Sequence, residues 1–216
     1  MNIPSYNTHH DLAHIALASA EVLFDAGGTG SVWQLTHGAL RLDRITREGP
    51  RFIQIVLPGD VMGLELLASS PYTYTARAIV PSRAQRLAFI SDAERYQALV
   101  HALAQQQRRL EDLVRLRSGT AQDRLKHLLL LLAPAAPAWT DEGTPCALPT
   151  IRDVAAILDT APETVSRIFA NLRRSQLLED RQRQSASFSA VRLREVEWPS
   201  GMTRSDKAQR LDTPPA

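Results

Sequence analysis

Glu163, Ser166 and Arg167 lie within one helical turn of each other in the segment PETVSRIFANLRR. Arginine can donate two parallel hydrogen bonds to O6 and N7 of guanine. A carboxylate can accept from N4 of cytosine, and a hydroxyl can serve a base or a phosphate. Arg173, Arg174, Arg181 and Arg183 follow, and residues 165–194 carry seven arginines against only Glu179 and Asp180. Such a local excess of positive charge is the footprint of a nucleic-acid contact, with these four arginines best assigned to phosphates. Charge alone also fits a solvated basic face.

These side chains need a helix to present them. LPTIRDVAAILDTA reads as a short helix with Ile151, Val154, Ala155 and Leu158 inward, followed by a tight turn at 159–161. A second helix is expected with Thr160 as N-cap and Glu163 at N3, the spacing of a capping box. Pro162 suits its first turn, where a missing N–H leaves no helical bond unmade. Val165, Ile168, Phe169 and Leu172 fall on one face at helical spacing, leaving Glu163, Ser166 and Arg167 toward the polar side. Two short helices across a tight turn form a helix-turn-helix, and an ordinary helical hairpin is the alternative.

Upstream, the period is that of short strands. Apolar sets at 32–35, 39–45, 52–57, 61–67, 73–80 and 84–90 are separated by Gly and Pro turns, which predicts an antiparallel β-barrel or sandwich. The pattern changes at Ser91, where Ser91 and Glu94 have capping-box spacing. No Pro or Gly follows until Gly119. Leu99, Leu103, Gln106, Leu110 and Leu113 are spaced four, three, four and three, a heptad seam on a helix of about 37 Å. The seam predicts pairing with a second copy, against the alternative of a helix packed only on its own barrel. Ser118-Gly119 is the expected hinge, and 120–132 another helix with Leu125, Leu128, Leu129 and Leu132 on one stripe. The proline-rich link after Ala133 is expected to hold little regular structure.

Composition narrows the function classes. The chain has 216 residues, 44% hydrophobic and 22% charged, which fits a folded protein of one or two domains. Its one cysteine, Cys146, excludes an intramolecular disulfide and a four-thiolate iron–sulfur cluster. The longest apolar run is far too short to span a bilayer, and the first residues lack a basic segment followed by an apolar core, so a cytoplasmic protein without membrane contact is expected. There is no phosphate-binding glycine loop, zinc-binding His/Glu motif or nucleophile elbow, so the chain reads as no enzyme.

PETVSRIFANLRRSQLLED, preceded by LPTIRDVAAILDTA, resembles the winged helix-turn-helix of the CRP/FNR family of bacterial transcription regulators. GALRLDR and RFIQIVLPGDVMGLELL resemble that family's cyclic-nucleotide-binding-like domain, and the heptad helix stands in the place of its dimerisation helix. The resemblance implies an α+β fold: an N-terminal antiparallel β-barrel (jelly roll), a long dimerisation helix at about 91–117 and a C-terminal winged helix-turn-helix. The expected layout is 1–117 for effector barrel and helix, 118–198 for DNA binding and 199–216 as a flexible tail. It also implies a homodimeric transcription regulator, with activator behaviour, double-stranded DNA and RNA polymerase as partners and a small-molecule effector. Ser166, and Pro162 in place of a guanine-reading arginine, look like the FNR branch and imply a TTGAT-like rather than TGTGA half-site. RQRQSASFSAV is long and Ser/Gln-rich for a wing.

The same resemblance makes Gly63, Leu64, Tyr74, Thr75 and Arg77 the candidate effector pocket. In that register Leu64 replaces the ribose-binding glutamate, and Tyr74-Thr75 replaces the phosphate-binding Arg-Ser pair. A buried phosphate without a cation is costly, which argues against cyclic AMP, although Arg77 stands two residues from Thr75. Haem needs only one histidine, so a haem-based gas-responsive regulator of the same fold is an alternative. A ligand-binding dimer acting through protein contacts is another, and the effector is unidentified.

Overall fold

The computed structural model describes residues 14–133, 144–182 and 185–196. Eight strands come first: β1 (His14–Leu17), β2 (Val22–Phe24), β3 (Val32–His37), β4 (Leu40–Thr46), β5 (Gly49–Val56), β6 (Val61–Met62), β7 (Thr75–Ala78) and β8 (Ser82–Leu87). Helices α1 (Asp92–Arg117) and α2 (Ala121–Leu132) follow. The C-terminal part contains β9 (Thr144–Ala147), α3 (Ile151–Leu158), α4 (Pro162–Arg174), β10 (Glu179–Gln182), β11 (Ser185–Phe188) and α5 (Ala190–Glu195).

The strands do not close into the barrel, or jelly roll, expected from the sequence. They form two open antiparallel sheets, ordered β1-β8-β3-β6 and β2-β7-β4-β5, with no ladder between them. Closure needs a continuous staggered register around the wall. Here the strands have two to eight residues, every connection except the β4–β5 hairpin crosses from one sheet to the other, and each sheet keeps two edges. The β3–β4 crossing is one such turn. Gly38 has φ +83°, and a Cβ there would lie 2.5 Å from the carbonyl oxygen of Pro81, so only glycine fits. The inner faces meet through Leu17, Leu35, Leu40, Val56, Met62, Ala76 and Ala78.

The expected strand at 61–67 stops at Met62. Gly63 takes a left-handed conformation there and starts a single 3-10 turn, Leu64–Ala68. Edge strand β6 is covered by α1 through one side chain. Gln105 accepts from the Val61 N–H at 2.7 Å and donates to its carbonyl at 3.1 Å, as a neighbouring strand would. Covering an edge in this way blocks further strand pairing. Ser91 caps α1 by accepting from Glu94 N–H, while Glu94 accepts from Ile90 N–H at 2.7 Å rather than closing the box on Ser91.

Ala98, Ala102, Gln105 and Leu116 form the buried side of α1. A second core joins the sheets to the C-terminal part: Phe52, Ile55, Leu57 and Ile79 pack in one cluster with Leu125, Leu129, Val154, Ile157, Val165 and Phe169. The proline-rich link, expected to hold little regular structure, begins strand β9 with its last two residues, Thr144 and Pro145, while 134–143 lie outside the described residues. Strand β9 pairs with β11, which pairs with β10, giving a three-stranded antiparallel sheet beside α4. No helix among the described residues is long and apolar enough to cross a membrane.

Candidate nucleic-acid interface

Helix α3 is fixed at both ends. At its start the Thr150 hydroxyl accepts from Asp153 N–H at 3.1 Å and donates to Asp153 Oδ2 at 2.9 Å. At its end Asp159 adopts a left-handed conformation, and Thr160 N–H bonds back to Ala155 O at 3.0 Å. The Thr160 N–H thus helps to close α3. The N-cap of α4 is Ala161, with no side-chain cap, so the expected Thr160–Glu163 capping box does not form. Pro162 occupies the first turn as expected, and the Glu163 carboxylate makes no capping bond.

Val165, Ile168, Phe169 and Leu172 bury one face of α4 against α3 and α2, while Glu163, Ser166, Arg167, Arg173 and Arg174 are exposed. Arg167 curls over its own helix, with long contacts of 3.4 Å to Glu163 O and Thr164 Oγ1. Those bonds are weak at that length, and the guanidinium can extend at little cost. Arg174 donates to Asn171 Oδ1 at 3.2 Å. Arg173 is engaged more firmly, ion-paired with Asp180 of β10 at 2.8 Å and stacked over Phe169. The β10–β11 hairpin forms a wing with a register shift between Asp180 and Gln182. Arg183, the Arg181 side chain and the 199–216 tail lie outside the described residues.

The seam residues of α1 face outward. Leu99, Leu103 and Leu110 are 47%, 67% and 62% exposed, Gln106 is exposed and Leu113 half-buried. Tyr96, also exposed, extends the same repeat one step toward the N-terminus, a member the sequence reading omitted.

Each candidate effector residue has partners of its own. Leu64 is half-buried beside Val32, Val61 and Leu87. Tyr74 receives a hydrogen bond from Arg44 at 3.3 Å and stacks with it. Buried Thr75 accepts from Ala26 N–H at 3.1 Å. Arg77 ion-pairs with Asp153 of α3. The ring against Gly63 belongs to Tyr72, a residue not selected from the sequence.

Arg77 leads to a buried ionic tie between sheet and helix-turn-helix. Asp153 accepts from Arg77, from Arg41 at 3.3 Å and from Thr150. Arg41, 3% exposed, also pairs with buried Asp43. Burial alone would raise the Asp153 pKa, but the hydrogen bonds from Arg77 and Thr150 and the charges of both arginines hold it below the ordinary carboxylate range. A second tie joins the end of α1 to the end of α3, where Arg117 meets Asp159 at 3.3 Å and stacks on Phe52. In the sequence Arg41 and Asp43 interrupt the apolar set at 39–45. Their shared parity, two charges on one strand face, was the available signal.

A third cluster connects the sheets to both long helices. Asp60 accepts from Leu57 N–H at 2.8 Å and from Arg109 at 2.7 Å, and Arg109 also pairs with Asp112. Burial works against the Arg109 charge, yet the two carboxylates outweigh it and raise its pKa. His127 of α2 lies 3.3 Å from Asp112, and its burial, with help from Arg115, lowers its pKa despite that carboxylate. Among the described residues no group of three or more His, Cys, Asp or Glu is arranged to hold a metal ion.

Known proteins share this arrangement. The family described as cyclic nucleotide-binding domain matches residues 15–89, and the Crp-like helix-turn-helix domain matches 123–193. The transcriptional regulator LdrP of Thermus thermophilus is 30% identical over 152 residues, covering 68% of this chain and 77% of that protein. A solved transcriptional regulator of the CRP family, also from Thermus thermophilus, has a TM-score of 0.66 at 25% identity, covering 83% of this chain and 94% of that one. FixK2 from Bradyrhizobium japonicum shares the fold, with a TM-score of 0.66 at 21% identity and coverage of 89% and 100%. With a sensor-type sheet domain followed by a helix-turn-helix and wing, the chain belongs to the CRP/FNR superfamily of transcription regulators.

Proposed function

We propose that the chain works as a homodimer that reads an inverted repeat in duplex DNA, each copy placing α4 in the major groove. Its family consists of non-catalytic regulators, and the chain is read as one of them. The observation that carries the DNA reading is the exposed N-terminal face of α4. Glu163, Ser166 and Arg167 are exposed there together, and none is consumed by a cap or an ion pair. Arg167 would read guanine, Glu163 the paired or neighbouring cytosine, and Ser166 a base or phosphate. Arg174 would meet phosphate, as would Arg173 once released from Asp180 and as would Arg181 and Arg183 of the wing. Pro162 and Ser166 favour a TTGAT-like half-site.

The homodimer reading rests on the α1 stripe. Tyr96, Leu99, Leu103 and Leu110 expose apolar surface at heptad spacing, while the opposite side of α1 is already buried on the sheets. Pairing two such stripes removes that surface from water. RNA polymerase is the partner implied for a DNA-bound activator.

Selection of bound duplexes from a random pool tests the reading, with sedimentation of Leu103→Glu/Leu110→Glu alongside. The expected pool is an inverted repeat with half-site centres about 34–36 Å apart, and the double variant sediments as a monomer with unchanged helicity. An unenriched pool, or a variant that stays dimeric, overturns the corresponding half of the proposal.

A further inference from the structure

We propose that Tyr72 fills from within the position at which this fold would hold an effector, so that the DNA-binding form needs no dissociable small molecule. The inference rests on reading the Gly63 segment as the effector position of a DNA-binding regulator. Tyr72 is 3% exposed, and its ring stacks on Phe24 with centroids 3.9 Å apart and planes 17° from parallel. Its hydroxyl donates to Ser31 O at 2.7 Å and accepts from Ser31 N–H at 2.8 Å, so both polar functions of the phenol are satisfied.

Glycines make the room for it. A Cβ on Gly63 would lie 2.7 Å from the ring carbon Cε1, and one on Gly30 would lie 2.7 Å from the hydroxyl. The Tyr72 N–H donates to Gly28 O at 2.9 Å and its carbonyl accepts from Gly27 N–H at 2.8 Å. The Gly27–Gly30 turn and the Gly63 turn therefore converge on a phenol ring. A planar aromatic with a hydrogen-bonding edge is the kind of group a ligand would otherwise bring.

The ring is also placed to act on DNA binding. Tyr72 stands just before β7, and Arg77 of β7 holds Asp153 at the start of α3. Helix α3 packs on α4 through the shared core. Anchoring the start of β7 thus anchors the ionic tie that orients the reading helix.

The test uses full-length protein unfolded, dialysed and refolded to strip bound molecules, with the duplex recovered from the random pool as probe. Wild type should bind that duplex fully without ligand, and cyclic AMP or cyclic GMP at about 1 mM should change its affinity less than about twofold. Tyr72→Phe keeps the ring and should bind within about threefold of wild type, since only the hydroxyl bonds are lost. Tyr72→Ala should melt several degrees lower and bind DNA at least about tenfold more weakly. Adding p-cresol should restore both, because an aromatic of the right shape refills such a cavity and stabilises the folded form by mass action.

Three results would overturn the proposal: wild type that binds DNA only with an added cyclic nucleotide, a stoichiometric wild-type complex with either nucleotide, or Tyr72→Ala matching wild type in melting and DNA affinity without p-cresol. If Tyr72→Ala fails to fold, the wild-type and Tyr72→Phe arms still decide. A wild type that enriches no duplex under any condition instead overturns the DNA-reading proposal, a separate outcome.

Discussion

Arg173 of the reading helix and Asp180 of the wing are joined by an ion pair of 2.8 Å, across seven residues of chain and in contact with solvent. The pair ties wing to helix in the free protein and offsets a charge that DNA phosphate would otherwise attract. A surface pair of this kind contributes about 0–1 kcal/mol to stability, so releasing it costs little. Asp180→Asn should leave the melting temperature nearly unchanged and strengthen binding to random duplex. The slope of log affinity against log salt should steepen by about one. Fluorescence anisotropy across a salt series measures all of this. An unchanged slope and an unchanged affinity would mean that the ion pair does not hold Arg173 back from phosphate.

Arg167 and Glu163 predict a different signature. Arg167→Ala removes a bidentate donor and should cost about 1–3 kcal/mol per half-site on the selected duplex, with little change on random DNA. Because Ala161 is the N-cap of α4, Glu163→Gln should alter base preference at one symmetric position with no loss of thermal stability. A lower melting temperature in that variant would return Glu163 to a capping role.

Asp153 should be the most sensitive residue of the tie between sheet and helix-turn-helix. Asp153→Asn leaves Arg77 and the buried Arg41 without their shared charge, and breaking a buried pair from one side costs about 3–5 kcal/mol. Chemical denaturation measures that loss. The pH dependence follows from the depressed pKa. The stabilisation is fully present above the unfolded value near 3.9 and is lost as pH falls through the lower folded value. The wild type should therefore lose this contribution only in strong acid, and the variant should lack that acid-dependent component.

His127 predicts a milder pH effect nearer neutrality. Its folded pKa is lowered by burial, so the unfolded chain binds more protons in the window below the unfolded value of about 6.5. Stability should be full above that value and fall as pH drops through the window toward the folded pKa. Thermal melts between about pH 7.5 and 5.5 should show a downward trend that His127→Gln reduces.

Local patterns in the sequence were sufficient for the helices and for the face that α4 presents. Ser91, the run without Pro or Gly to Gly119, and the apolar spacing of Val165, Ile168, Phe169 and Leu172 each act within a few residues, the range over which helical hydrogen bonds and side-chain stripes operate. Alternation similarly marked most strands, and the ETVSR segment marked the helix-turn-helix. What neighbours in space decide was not legible there. Whether the strands close depends on which edges meet, and apart from the β4–β5 hairpin the connections send successive strands to opposite sheets that remain open. Thr160 reads equally well as the N-cap of the next helix, until its N–H is taken by Ala155. Tyr72 and Tyr74 are alike in sequence. Only the convergence of two distant glycine turns buries the first, while Arg44 takes the second at the surface. Arg41, Arg77 and Asp153 are far apart along the chain, and charges so separated acquire a shared meaning only when folding removes the water between them.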